Sequence, residues 1–135
     1  MRELVLDSFA LLAYFFGEAA GSRVRDVLRE SRAATMRLCL STVNLAEVAY
    51  RLERTWGEDR MLEALALVDS YPILIVDVDR ELALAAAHLK AEHPVSLADC
   101  TAAALAQRLG AGVLTGDPDF QRLEGAVAVD WLTAG

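Results

Sequence analysis

Four carboxylates stand where an apolar segment has just ended or a helix has just begun. Asp7 follows "LVL" (Leu4–Leu6), Asp117 follows "VLTG", Glu47 lies one to two turns into a helical stretch, and Asp99 closes "SLAD" (Ser96–Asp99). No cysteine pair or histidine tract accompanies them. Oxygen ligands alone suit a hard cation, Mg²⁺ or Mn²⁺. Such an ion, single or paired, activates water and stabilises the charge that develops on a phosphodiester.

Each acid also has an ordinary structural use. Asp7 can cap the helix that follows it. "SLAD" has the form of a capping box, and first-turn acids favour the helix dipole. Glu47 is spaced for an i,i+4 pair with Arg51. Asp117 before Pro118 reads as an N-cap with proline at N1. Taken together the acids are harder to dismiss, because carboxylates gathered at one edge repel one another and a shared cation relieves that.

The elements that must position them are readable from patterning. Short apolar runs at 3–6, 36–40, 71–78, 112–115 and 127–132 read as strands. Helical stretches fill 8–16, 18–33, 42–55, 58–70, 80–92 and 96–109, with breaks at Gly57, Pro94 and Gly110. Strands alternating with helices predict a three-layer α/β/α sandwich around a mainly parallel sheet, Rossmann-like in plan. Ligands of such sheets bind beyond the carboxyl ends of the strands. Asp7 and Asp117 fall at that edge directly, and Glu47 reaches it at the start of its helix. Asp99 precedes the fourth strand, so its arrival there depends on the fold.

Composition sets the remaining bounds. The 135 residues fit one domain, 1–135, and 55% of them are hydrophobic, enough for a core without staples. Cys39 and Cys100 sit among apolar neighbours and read as buried free thiols. The N-terminal segment carries Glu3 and Asp7 and lacks a small-residue cleavage site, and no apolar run spans a membrane; a cytoplasmic protein is expected. The net charge of −7 opposes non-specific nucleic-acid binding through overall charge. Distribution qualifies this: Arg25, Arg29 and Arg32 line one helical face, and Arg51 and Arg54 share the broad face of Glu47, so both sets are candidate phosphate contacts. His88 and His93 have no assigned role. Trp56 and Trp131 read as packing residues.

The segments "LVLDSFALLAYF", "STVNLAEVAYRL" and "SLADCTAAALAQRLGAGVLTGDPDF" together resemble the PIN-domain nucleases, and more narrowly the VapC-type toxins of toxin–antitoxin pairs. The likeness runs over nearly the whole chain. It implies a PIN-like fold and a Mg²⁺- or Mn²⁺-dependent endoribonuclease whose four acids are Asp7, Glu47, Asp99 and Asp117. Ser8 and Thr115 match the hydroxyl positions beside the first and fourth acids, and Asn44 and Asp119 lie next to the cluster in support. It also implies an RNA substrate, a VapB-like antitoxin and a homodimer, with the apolar "FALLAYFF" helix as one partner-facing surface.

Two other readings stand beside it. "LIVDVDREL" resembles the haloacid-dehalogenase-type phosphatases, with Asp77 as nucleophile and Asp79 following it. Glu81, however, occupies a position where that family places Thr or Val, and Lys90 has no clear counterpart in it. A PIN-like module that binds RNA without cutting it is the non-enzymatic reading.

Overall fold

The strands are short, and β1 to β4 are each followed by helical chain that carries the backbone back to the edge where the strand began. Parallel pairing follows from that geometry. The computed structural model describes residues 1–132, so the last three residues of the expected 1–135 domain lie outside the described residues. The order is β1 (Arg2–Leu6), α1 (Ser8–Phe15), α2 (Gly21–Ser31), β2 (Met36–Ser41), α3 (Thr42–Trp56), α4 (Glu58–Asp69), β3 (Ile73–Val76), α5 (Arg80–Glu92), α6 (Leu97–Leu109), β4 (Gly112–Thr115), a 3-10 helix (Pro118–Leu123) and β5 (Val129–Trp131).

The five strands form one sheet in the order β3-β2-β1-β4-β5, and every pairing is parallel. In register, Val5 stands between Cys39 and Val113. The period of two then splits the core. Leu4, Leu6, Leu38, Leu40 and Leu114 face α1, α2, α3 and α4. Val5, Cys39 and Val113 face α5, α6 and the 3-10 helix. Both cysteines are free and buried, as expected. This is the predicted three-layer arrangement. Among the described residues no helix is long and apolar enough to cross a membrane.

The chain grows outward from β1 in both directions. β2 and β3 extend one side, and the α5–α6 connection crosses to place β4 on the other. The order therefore reverses between β1 and β4, and that switch point opens a crevice at the carboxyl edge. α6 lies deep against the sheet, with Ala102–Ala106 all buried, because small side chains allow close approach. It ends at Gly110, whose φ of 64° suits glycine.

Four elements differ from the sequence expectation: β5, expected over 127–132, spans only Val129–Trp131, and the other three have local causes. β3 stops at Val76, because Asp79 turns to cap α5 through the Leu82 N–H. α2 begins at Gly21 rather than at 18, because Glu18 is held in a turn: its N–H donates to Ala13 O, and its carbonyl accepts from Gly21. The 3-10 helix was expected only as the cap at Asp117, since six residues are too few to show a period. Its anchor is Phe120, the largest fully buried side chain. Phe120→Ala is expected to lower the unfolding free energy by about 3–5 kcal/mol. Urea midpoints at unchanged m-value would measure this.

Candidate active site

The site begins with three helix N-termini brought to the carboxyl edge. Asp7 caps α1, its carboxylate accepting from Ala10 N–H at 2.9 Å. Ser41 caps α3 by accepting from Asn44 N–H, and Ser96 caps α6 by accepting from Asp99 N–H. Asn44, fully buried, ties these starts together. Its Nδ2 donates to Ser8 Oγ at 3.1 Å and to Ala98 O at 3.2 Å, and its Oδ1 accepts from Ser41 Oγ at 2.5 Å. The bond to Ala98 seats the first turn of α6, and hence Asp99, at the same edge as Asp7. The positive ends of three helix dipoles thus meet where the acids gather.

β4 supplies the other wall. Thr115 Oγ1 donates to Asp7 Oδ2 at 2.5 Å across the β1–β4 switch point, and it accepts from Asp117 N–H at 3.0 Å. Asp117 Oδ1 in turn accepts from Asp119 N–H at 2.9 Å, which starts the 3-10 helix at Pro118. The turn folds Asp117 and Asp119 over Thr115 and toward Asp99. One carboxylate oxygen from each of Asp99, Asp117 and Asp119 lies within 4.8 Å of the other two. Asp119, expected in support, stands in this closest trio. Among the described residues no such trio includes Asp7 or Glu47.

Electrostatics links all five acids. Burial pushes Asp7 up to about 8; the Thr115 and Ala10 hydrogen bonds oppose the shift, while the charges of Asp99 and Asp117 add to it. Burial, then the charge of Asp117, pushes Asp99 up to about 6. Glu47 and Asp119 act in the same direction, against the Ser96 hydroxyl. Among the described residues no ion pair reaches Asp7, Glu47, Asp99, Asp117 or Asp119. The expected Glu47–Arg51 pair is not formed. The caps at Asp7, Ser96 and Asp117 do form, so capping and clustering are two uses of the same residues. An oxygen-only donor set, half-buried and without a cationic partner, fits a hard divalent cation.

The arginines divide. Arg51 and Arg54 are exposed, one and about two turns beyond Glu47 on α3, with the Arg54 guanidinium 4.8 Å from the centre of the Tyr50 ring. The Arg25, Arg29 and Arg32 face ends at the opposite edge of the sheet, where Arg32 stacks 4.1 Å over Tyr71 just before β3. Arg25 also pairs with Asp26 at 3.9 Å. The phosphatase motif separates too. Asp77 is exposed beyond an edge strand, Asp79 holds Arg108 at 3.0 Å, and Lys90 donates to Val95 O. Trp56 packs edge-on against Phe15 and Phe16. A surface hollow of about 470 Å³ lies at the α1–α2 junction among Tyr14, Glu18 and Arg25. Asp117 and Asp119 reach the surface, with Asp7 and Asp99 buried behind them. Patterning missed Ser41, although Ser before "TVN" is a helix-start signal.

The family model described as "PIN domain" matches residues 4–126. No curated protein matches the sequence. Among solved structures, the chain is similar to the DNA-bound VapBC of Salmonella typhimurium at 21% identity and a TM-score of 0.77, covering 98% of this chain and 100% of that one. It is similar to VapBC2 of Rickettsia felis, bound to a promoter DNA fragment, at 16% identity, a TM-score of 0.75 and the same coverage. It is also similar to VapC20 of Mycobacterium tuberculosis, described as a sarcin-ricin loop cleaving toxin. There the identity is 19% and the TM-score 0.72, with 95% of this chain and 98% of that one covered.

The raised acids give a signed pH dependence. Between their ordinary value of 3.8 and the folded values of about 6 and about 8, the folded state holds protons that the unfolded chain has released. Raising the pH through that window therefore destabilises the metal-free protein. Thermal unfolding in EDTA is expected to show Tm falling between pH 5 and 8. Asp7→Asn should flatten that slope and raise Tm at pH 8.

Proposed function

The chain belongs to the PIN-domain family, and on that premise we propose that it is a Mg²⁺- or Mn²⁺-dependent endoribonuclease, the toxin of a cytoplasmic VapBC-type pair. The observation that carries this reading is the trio of oxygens from Asp99, Asp117 and Asp119 within 4.8 Å. It lies beside buried Asp7 at the switch point of a parallel sheet. Asp99, Asp117 and Asp119 would hold the cation, with Glu47 and buried Asp7 within electrostatic reach of Asp99. A divalent cation bound there supplies Lewis-acid activation of water and neutralises charge on the scissile phosphodiester.

The chain's own residues do the rest. Thr115 fixes the Asp7 carboxylate and the Asp117 backbone with one hydroxyl. Asn44 fixes the start of α6 and Ser8. The N-termini of α1, α3 and α6 favour a phosphate at this edge. Arg51 is the nearer of the two α3 arginines to the site and contacts the RNA backbone. The sarcin-ricin loop cleavage described for VapC20 of Mycobacterium tuberculosis supports RNA as the substrate class. The VapBC neighbours support a VapB-like antitoxin as partner, and a homodimer is part of the same proposal. Half-buried Tyr14 and Phe15 on α1 and Phe16 at its C-cap, with exposed Leu62 and Leu67 on α4, supply apolar surface for them.

Purified protein freed of antitoxin is expected to cleave a mixed RNA pool with Mg²⁺ or Mn²⁺ and not with EDTA. Asp99→Asn and Asp117→Asn should each reduce the rate by about 10²-fold or more. RNA retained but uncut by folded wild-type protein in both metals would favour the non-cutting module. Cation uptake must displace protons from Asp99 and Asp7, so Mn²⁺ affinity measured by calorimetry should rise from pH 6 to pH 8.

A further inference from the structure

Gly116 lies between Thr115 and Asp117, and its backbone conformation does not require glycine, since its φ is not in the positive region. Space does. A Cβ placed on Gly116 would fall 2.6 Å from Phe9 Cε1, 3.1 Å from Cζ and 3.4 Å from Cδ1. The edge of the Phe9 ring therefore rests on the bare Cα of the turn that carries two of the clustered acids. Phe9 follows Asp7 and Ser8 directly in the chain, is half-buried, and packs into the core on the α1–α4 side of the sheet.

We propose that Phe9 is a positioning residue for the acid cluster. Its ring clamps the Gly116 turn and so fixes the Asp117 and Asp119 carboxylates against Asp99. Phe120 anchors the far end of this turn in the core, and Phe9 meets its near end at Gly116. Asp117 N–H reaches Thr115 Oγ1 and Asp119 N–H reaches Asp117 Oδ1, but both bonds lie within the turn. The bond from Thr115 to Asp7 anchors only the residue before Gly116. The Phe9 contact comes from outside the turn, on a helix whose first residues line the same site. It couples the two walls of the crevice at the one position where a side chain on the turn would push them apart. This inference rests on the reading of Asp117 as a cation ligand.

The test compares wild type, Phe9→Ala, Gly116→Ala and the double variant, each in Mn²⁺ calorimetry and in RNA cleavage, with thermal unfolding as the control for folding. Phe9→Leu, which keeps apolar volume without the ring, replaces Phe9→Ala if that variant does not fold. Each single variant is expected to weaken Mn²⁺ binding about tenfold. The double variant should bind no more weakly than Phe9→Ala alone, because removing the ring makes room for the new methyl group. That non-additivity marks direct contact. Wild-type Mn²⁺ affinity in the folded Phe9 variants, or additive losses in the double variant, would overturn the proposal. If wild type binds Mn²⁺ but cuts no RNA, the nuclease reading fails while the positioning role is still read from affinity. If wild type binds no Mn²⁺, both fail.

Discussion

Asp7 is a carboxylate with no solvent exposure and no cationic side chain beside it, and the architecture of the carboxyl edge follows from accommodating it. Burying such a group is tolerable only when its oxygens are hydrogen-bonded. One oxygen is met by the first turn of α1, the other by Thr115 on the neighbouring strand. The second bond crosses the reversal point of the strand order, so it also fixes the two strands whose ends carry the cluster. Part-exposed Asp117 and exposed Asp119 form an acidic rim beside the buried Asp7.

That rim is held in place by neutral polar groups rather than by ion pairs. Asn44, Ser8, Ser41, Ser96 and Thr115 supply the bonds, and the salt bridges lie elsewhere, at Arg2–Asp130, Arg25–Asp26, His88–Glu92 and Arg108–Asp79. Arginine beside these acids would occupy the oxygens that a cation needs. Helix N-termini favour the negative charge without competing for it. Burial, with the repulsion of neighbouring acids added to it, raises Asp7 and Asp99, and the fold carries this as lost stability in the absence of metal. Sites arranged for function commonly hold such strain while the scaffold around them is well packed. Here the packed part is the pair of cores on either side of the sheet, with α6 buried along its length.

Local pattern and shared position reinforce each other in this chain. The capping uses of Asp7, Ser96 and Asp117 and their assembly into one edge are not competing explanations. A cap sits at the start of a helix, and in a parallel α/β sheet the starts of the helices that follow strands lie where ligands bind. The Glu47–Arg51 pair, which does not form, is the case where local spacing was insufficient. A permissive i,i+4 interval on an exposed helix is worth only a few tenths of a kcal/mol and is readily given up.

The sequence by itself determined the strands, most of the helices, the parallel α/β plan and the placing of Asp7, Glu47 and Asp117 toward one edge. These depend on periodicity, caps and breakers, which act over a few residues. Tertiary structure alone decided which acids come closest. Asp99 arrives through the Asn44–Ala98 bond, 54 positions apart in the chain, and Asp119 joins through a 3-10 helix too short to show a period. It also sent Arg32 to the far edge, onto Tyr71, although its helical spacing from Arg25 and Arg29 was read correctly. Spacing along one helix shows which side chains share a face. Where that face points is decided by the crossovers that order the strands, and those are set by burial of both sheet faces at once.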